Sequence, residues 1–154
     1  MTELSDMLTP GAVEAALAVT NKKSLFQQLG QISDREFGIE QRLVVERLSE
    51  RERLGSTGFG GGVAIPHGKI LGLDQVVGVF VRLVEPIDFQ AIDDMPVDLV
   101  FMLLSPPDAG ADHLKALARV SRRLRDRLFV AKLRGASSTD ALYALLAGID
   151  ARDA

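Results

Sequence analysis

Two segments leave this chain little freedom in what it can fold into. Residues 75–84 (Gln-Val-Val-Gly-Val-Phe-Val-Arg-Leu-Val) and 97–104 (Val-Asp-Leu-Val-Phe-Met-Leu-Leu) are almost continuously apolar, and rich in β-branched and aromatic side chains. A strand with one wet face alternates apolar and polar residues, whereas a continuous run needs cover on both faces. The two segments therefore predict central strands of a sheet packed between helices. Pro86 and Asp93-Asp94-Met95-Pro96 read as turns between them.

The covering helices are legible on either side. Asn21 is a natural N-cap, and Leu25, Phe26, Leu29 and Ile32 follow at helical spacing up to a stop near Gly38. A second helix begins near Ile39 or Glu40, buries Leu43, Val44 and Leu48, and ends at Gly55 as a C′ residue, so the pair forms a helical hairpin. Residues 15–20 suit a short strand, with helix as the other option, and residues 1–10 read as a loosely ordered lead-in. Beyond Pro106-Pro107, Leu114, Leu117, Leu124 and Leu128 suggest one long amphipathic helix with Arg119, Arg122, Arg123, Arg125 and Arg127 outside. Ser138 or Thr139 then caps a last helix carrying Leu142, Tyr143, Leu145 and Leu146. The expected fold class is α/β: a single domain over 1–154, with a mixed β-sheet sandwiched between helices.

Composition removes several functions. A length of 154 residues suits one domain with a full core, and a net charge of −3 argues against nucleic acid as the main ligand. The absence of cysteine excludes disulfides, thiolate metal sites and a cysteine nucleophile. No run approaches the ~20 apolar residues of a membrane span. The N-terminus lacks a basic region ahead of an apolar one. A cytoplasmic protein with no direct membrane insertion is expected.

Chemistry concentrates in one stretch. Seven of the fourteen glycines fall between positions 55 and 72, too dense for regular structure and open to a phosphate-binding role. Neither nucleotide template fits. The P-loop pattern fails because Ile70 follows Gly68-Lys69 and Val63 stands where the first glycine belongs. The dinucleotide pattern begins at Gly58-Phe59-Gly60 but meets Val63 at its last glycine. What remains is His67, between the stiffening Pro66 and the permissive Gly68. Surrounding glycines would aim N–H groups inward as an anion-holding nest, which suits a histidine that carries a phosphoryl group. A histidine that merely closes a turn explains the same residues.

His113, in the first turn of the later helix, would either assist His67 or sit at the surface. Arg51, Ser56 and Thr57 are open in the same way between phosphate contact and ordinary cap or turn chemistry. Two histidines without H-x-x-E-H or H-E-x-x-H spacing make a poor metal site, and no cofactor is expected. Asp88, Asp93 and Asp94 read as turn-formers.

Arg51-Glu52 followed by Gly55-Ser56-Thr57-Gly58-x-Gly60-x-Gly62-x-Ala64-Ile65-Pro66-His67-Gly68 resembles the active-site motif of the fructose/mannitol-type enzyme IIA family of the bacterial phosphotransferase system. The likeness continues through Ala91-Ile92-Asp93, the Pro96 to Phe101 run and His113-Leu114, spanning roughly residues 21–146. It implies a single α/β domain in which His67 accepts a phosphoryl group from a histidine-containing phosphocarrier protein. His113 and Arg51 match the family's second histidine and its arginine. Ser56, Thr57 and Gly68 are the phosphoryl-binding candidates beside them.

Two functions follow from the resemblance. One is a carrier that passes phosphate to the cysteine of a sugar-specific B domain. The other is the nitrogen-regulatory branch, which signals through its phosphorylation state to targets such as a sensor kinase, potassium transporter or stringent-response enzyme. The helix opening Asn21-Lys22-Lys23-Ser24 is similar to the regulatory branch, and a chain ending at Ala154 leaves no room for a fused B or membrane domain. The regulator is the favoured reading. Phe59, Val63 and Ile65 would form the apolar face on which a partner docks.

Overall fold

The computed structural model describes residues 4–148. In chain order the elements are α1 (Leu4–Met7), β1 (Val13–Leu17), α2 (Lys22–Phe37), α3 (Gln41–Arg53), β2 (Gly58–Gly60), β3 (Val63–Ala64) and β4 (His67–Lys69). Then come β5 (Val77–Ile87), β6 (Val97–Ser105), α4 (Ala111–Leu124), α5 (Arg127–Gly135) and α6 (Thr139–Leu146). The strands form one mixed sheet in the order β1-β5-β6-β3-β2, and β4 continues beside β6. β5 and β6 pair antiparallel, while β1 runs parallel to β5, and β3 and β4 run parallel to β6.

Both faces of the sheet are covered, as the two apolar runs require. Val79, Val81, Val100, Met102 and Leu104 pack toward α2 and α3 against Leu25, Leu29, Val44 and Leu48. Phe80, Leu99, Phe101 and Leu103 pack on the other side against Val120, Leu124, Leu133 and Leu142. Phe80 and Phe101 meet edge to face with centroids 6.1 Å apart, a geometry worth about 0.5–1.5 kcal/mol beyond area burial. Gly78 makes room for this pair, since a Cβ there would stand 2.7 Å from the Phe101 ring.

The α2–α3 hairpin follows its local signals. Asn21 and Ser24 form a reciprocal capping box, each side chain accepting the other's backbone N–H, and Gly38 closes the helix in the left-handed region at φ 69°. Leu54 caps α3, and Gly55 follows with φ 152°.

Several expectations are corrected. Residues 4–10 are not a loose lead-in: Leu4, Met7 and Leu8 are buried in the second core layer. Residues 1–3 lie outside the described part. The first strand starts at Val13 and takes in Glu14 rather than beginning at position 15. Pro86 lies inside β5, not in a turn. The glycine-rich stretch is not a bare loop but three short strands.

The long helix after Pro107 is two helices. Asp126 accepts the N–H groups of Leu128 and Phe129, which starts α5 afresh and places Leu128 on the outside, 77% exposed. In α4 the inward residues are His113, Ala116, Val120 and Leu124, whereas Leu114 is 67% exposed. The leucine pattern missed this phase because a small alanine and a valine, not the largest apolar residues, meet the tightly filled sheet. The guanidinium of Arg82 fixes the far end of this layer by donating to the carbonyls of Leu133 and Ala136, each at 2.8 Å.

The phase of α4 is directly measurable. Leu124→Ala should cost about 2–5 kcal/mol in urea unfolding, as truncation of a buried leucine does. Leu114→Ala should stay within about 0.5 kcal/mol of the parent. Equal losses would mean that α4 packs in the phase of its leucines.

Candidate functional site

The strand path from β3 to β4 carries His67 to the end of the sheet. Val63 and Ala64 pair with Leu99 and Val100, and His67, Gly68 and Lys69 pair with Leu103, Leu104 and Ser105. Gly68 lets β4 lie against α3, because a Cβ there would stand 3.1 Å from the Cβ of Arg47. One helical turn beyond Arg47, Arg51 then reaches over His67. On the opposite side, β6 ends at Ser105, the chain turns at Pro106 and Pro107, and α4 delivers His113 in its first turn.

The imidazole of His67 is oriented at both nitrogens. Nδ1 lies 2.9 Å from the Ile65 carbonyl oxygen, which can only accept, so Nδ1 carries the hydrogen. Nε2 is left with its lone pair and accepts from Arg51 Nε at 3.2 Å. Another Arg51 nitrogen donates to the Gly55 carbonyl at 2.9 Å, which holds the guanidinium in place. The ring of His113 stands 5.6 Å from that of His67, centroid to centroid, and tilted by 52°. Its Nδ1 is hydrogen-bonded to the buried hydroxyl of Ser105.

Electrostatics favour neutral rings. Burial pushes the His67 pKa below its ordinary value, and repulsion from Arg51 adds to this, against opposing contributions from the Ile65 carbonyl and Glu52. Burial likewise lowers His113, helped by the charges of His67 and Lys69. A neutral imidazole on the wall of a hollow, with an unprotonated Nε2, has the lone pair a nucleophile needs. The hollow measures about 280 Å³ and is lined by Arg51, Thr57, Phe59, Ile65, His67 and Leu117, among others.

A larger hollow of about 890 Å³ adjoins it across Phe59 and Ile92 and is rimmed by Arg125, Arg127 and Arg134. It holds neither histidine, so the reactive geometry belongs to the smaller one. Among the described residues, no group of three or more metal-ligating side chains converges.

His67, Arg51 and His113 therefore come together. Ser56 and Thr57 line the same hollow, with their hydroxyls bonded inside the protein. Ser56 Oγ donates to the Phe89 carbonyl and accepts the Gly58 N–H. Thr57 is buried with its N–H and hydroxyl both on the Glu52 carboxylate, at 3.1 and 2.7 Å. Gly68 provides packing clearance. The expected nest of glycine N–H groups is also absent at two positions: Gly58 donates to Ser56, and Gly61 donates to Asp93 Oδ2. Those two acceptors hold the turns that shape the short strands, so their N–H groups are not available to an anion. Asp93 also accepts the Met95 N–H, and these bonds hold its carboxyl below the usual range.

Two residues of the site were given no role by sequence reasoning. Glu52 ties Thr57 to Lys22, whose Nζ lies 3.0 Å away, and so locks the end of α3 to the start of β2. Its place beside Arg51 was the available signal. Ser105 holds His113, and its only mark in the sequence is a hydroxyl closing an apolar strand. The docking face is also revised. Val63 and Ile65 are 1% and 5% exposed and cannot meet a partner, whereas Ile92 and Leu114 are 76% and 67% exposed.

Comparison with known proteins adds an independent line. The family model described as "Phosphoenolpyruvate-dependent sugar phosphotransferase system, EIIA 2" matches residues 6–148. A nitrogen regulatory protein of Bradyrhizobium diazoefficiens is 49% identical over 144 residues, covering 94% of each chain. One from Klebsiella oxytoca is 39% identical, over 94% of this chain and 90% of its own length. The crystal structure of nitrogen regulatory protein IIA-Ntr from Neisseria meningitidis superposes with a TM-score of 0.88 at 37% identity, over 93% of this chain and 98% of that one.

The ring states have a direct readout. In long-range ¹H–¹⁵N spectra at pH 7, His67 should show a protonated Nδ1 and a bare Nε2, with both histidines titrating below about 6.5. Arg51→Ala should raise the His67 midpoint, since it removes a repelling charge. Because these folded pKa values lie below the unfolded one, the unfolded chain binds more protons in the window between them. Stability should therefore be full above pH ~6.5 and fall as pH drops toward the folded values.

Proposed function

This chain belongs to the EIIA 2 family of the phosphoenolpyruvate-dependent sugar phosphotransferase system, and from that premise we propose that it is a phosphoryl-accepting regulator with His67 as its nucleophile. The observation that carries this reading is the bare Nε2 of His67, set by the Nδ1–H bond to Ile65 and directed at Arg51. The donor is the phosphohistidine of a histidine-containing phosphocarrier protein. The Nε2 lone pair attacks phosphorus as the donor ring nitrogen leaves with the bonding pair, so one P–N bond forms while another breaks. No proton need move. The Nδ1–H bond to Ile65 steadies the positive charge the ring acquires, and the Arg51 guanidinium turns from Nε2 to the phosphoryl oxygens. His113 supplies a second group at the same oxygens. A phosphohistidine donor is already activated, so the step uses no cofactor.

The regulatory branch is supported by the relatives that bear the name nitrogen regulatory protein. Signalling would work by local charge. A phosphoryl group on His67 places anionic oxygens in the hollow that the exposed Ile92 also lines, where a partner would have to desolvate them or offer cations. A partner built for the bare histidine then binds the unphosphorylated form, and one with an arginine cluster selects the other. The proposed targets are a sensor kinase, a potassium transporter or a stringent-response enzyme. The proposed location is the cytoplasm; among the described residues no helix is long and apolar enough to cross a membrane.

In a reconstituted transfer assay, His67→Ala should lose all acid-labile labelling. Arg51→Ala and His113→Ala should fold and still be labelled, but more slowly. The ~10²–10³-fold loss typical of a preorganised oxyanion donor sets the upper limit for this open site. Full labelling of His67→Ala would overturn the nucleophile. Affinity for each candidate target should differ between phosphorylated and unphosphorylated protein, and rapid onward transfer to the cysteine of a fructose-type B domain would favour the sugar carrier instead.

A further inference from the structure

Buried polar side chains are few in this fold. Among the described residues they are Ser33, Thr57, Ser105 and His113. Ser33 donates to the Leu29 carbonyl within its own helix, and Thr57 is tied to Glu52. The remaining two are bonded to each other at the end of β6. Ser105 is completely buried, and its hydroxyl makes this one hydrogen bond among the described residues.

The direction of that bond can be deduced. If His113 donated from Nδ1, the Ser105 hydroxyl hydrogen would be shut in the core with no acceptor, which folded proteins avoid. If Ser105 donates to Nδ1, every group is satisfied, and the hydrogen of the neutral His113 ring must sit on Nε2. Protonating Nδ1 would force the hydroxyl to turn round and orphan its own hydrogen. The bond thus selects one tautomer and resists the imidazolium.

We propose that Ser105 is a positioning residue for phosphoryl transfer: it donates to His113 Nδ1 and thereby keeps Nε2–H as a neutral donor beside His67. This rests on the reading of His67 as the phosphoryl acceptor. The ring centroids are 5.6 Å apart, which brings His113 within reach of the oxygens of a phosphoryl group bonded to His67 Nε2. A neutral donor there binds the phosphoryl oxygens without adding a second cation to the half-buried Arg51. It therefore holds the group while leaving it free to move on to another acceptor.

The fold gives the bond its rigidity. The Ser105 carbonyl accepts the Ile70 N–H at 2.8 Å, just past β4, and Lys69 pairs with Ser105 in register. The strand that carries His67 is thereby pinned to the residue that orients His113.

The test has two independent readouts. In the ¹⁵N spectrum of the unmodified protein at pH 7, His113 should show a protonated Nε2 and a bare Nδ1. Ser105→Ala should mix the tautomers and lower kcat for transfer by about tenfold, the order of one hydrogen bond, with KM for the phosphocarrier unchanged. Ser105→Thr, which keeps the hydroxyl, should restore both. A wild-type His113 protonated on Nδ1 would overturn the proposal whatever the variants do. So would Ser105→Ala that keeps the Nε2–H tautomer and the full rate. Full labelling of His67→Ala in the same assay would instead sink the acceptor reading, leaving the tautomer result to stand by itself.

Discussion

Strand β6 has neither a free edge nor a free face, and the rest of the molecule depends on that. On one side it pairs antiparallel with β5, on the other parallel with β3 and β4, and its side chains are buried alternately in both core layers. A strand so enclosed cannot slip by one residue without exchanging its entire apolar sets between layers. Its register is therefore rigid, and so is the position of everything attached to its last residues. His67 opposite Leu103, Lys69 opposite Ser105, and His113 eight residues farther on inherit that precision.

The glycines around His67 act on this frame in a different manner from a phosphate-cradling loop. Gly68 brings β4 against α3, and the consequence is the Arg51–His67 bond. Gly62, at φ 82°, stands where any side chain would collide with Arg134, whose guanidinium holds both Asp98 and the Gly61 carbonyl. Gly60 and Gly61 also have positive φ, in the turn that Asp93 ties down. Gly62 and Gly68 permit close approach of one element to another, whereas Gly61 serves the turn alone.

Much of the fold was legible because its signals are local. The capping box at Asn21 and Ser24, the left-handed Gly38 and the doubly covered apolar strands each follow from a few neighbouring residues. Errors arose where a distant contact chose between local options. Leu114 and Leu128 looked like core and are outside, because the space facing α4 accepts Ala116 and Val120 and because Asp126 restarts the helix. Residues 4–8 looked like a tail and are held, because Leu4, Met7 and Leu8 join the apolar layer beneath α4. Ser56 and Thr57 do line the hollow of His67, but only the fold shows that Phe89, Gly58 and Glu52 already bond their hydroxyls.

The residues alone determined that a sheet would lie between helices, and that His67, in its Pro-His-Gly setting, was the place to look for chemistry. Periodicity, caps and the stiffness of proline are properties of neighbouring residues, so they can be read without a fold. The sequence could not state which nitrogen of His67 is bare, that Arg51 caps it, or that Ser105 orients His113. Those facts depend on strand register and on the clearance between α3 and β4, which set contacts of about 3 Å between residues far apart in the chain. Such contacts come from packing the whole core at once, and no local pattern encodes them.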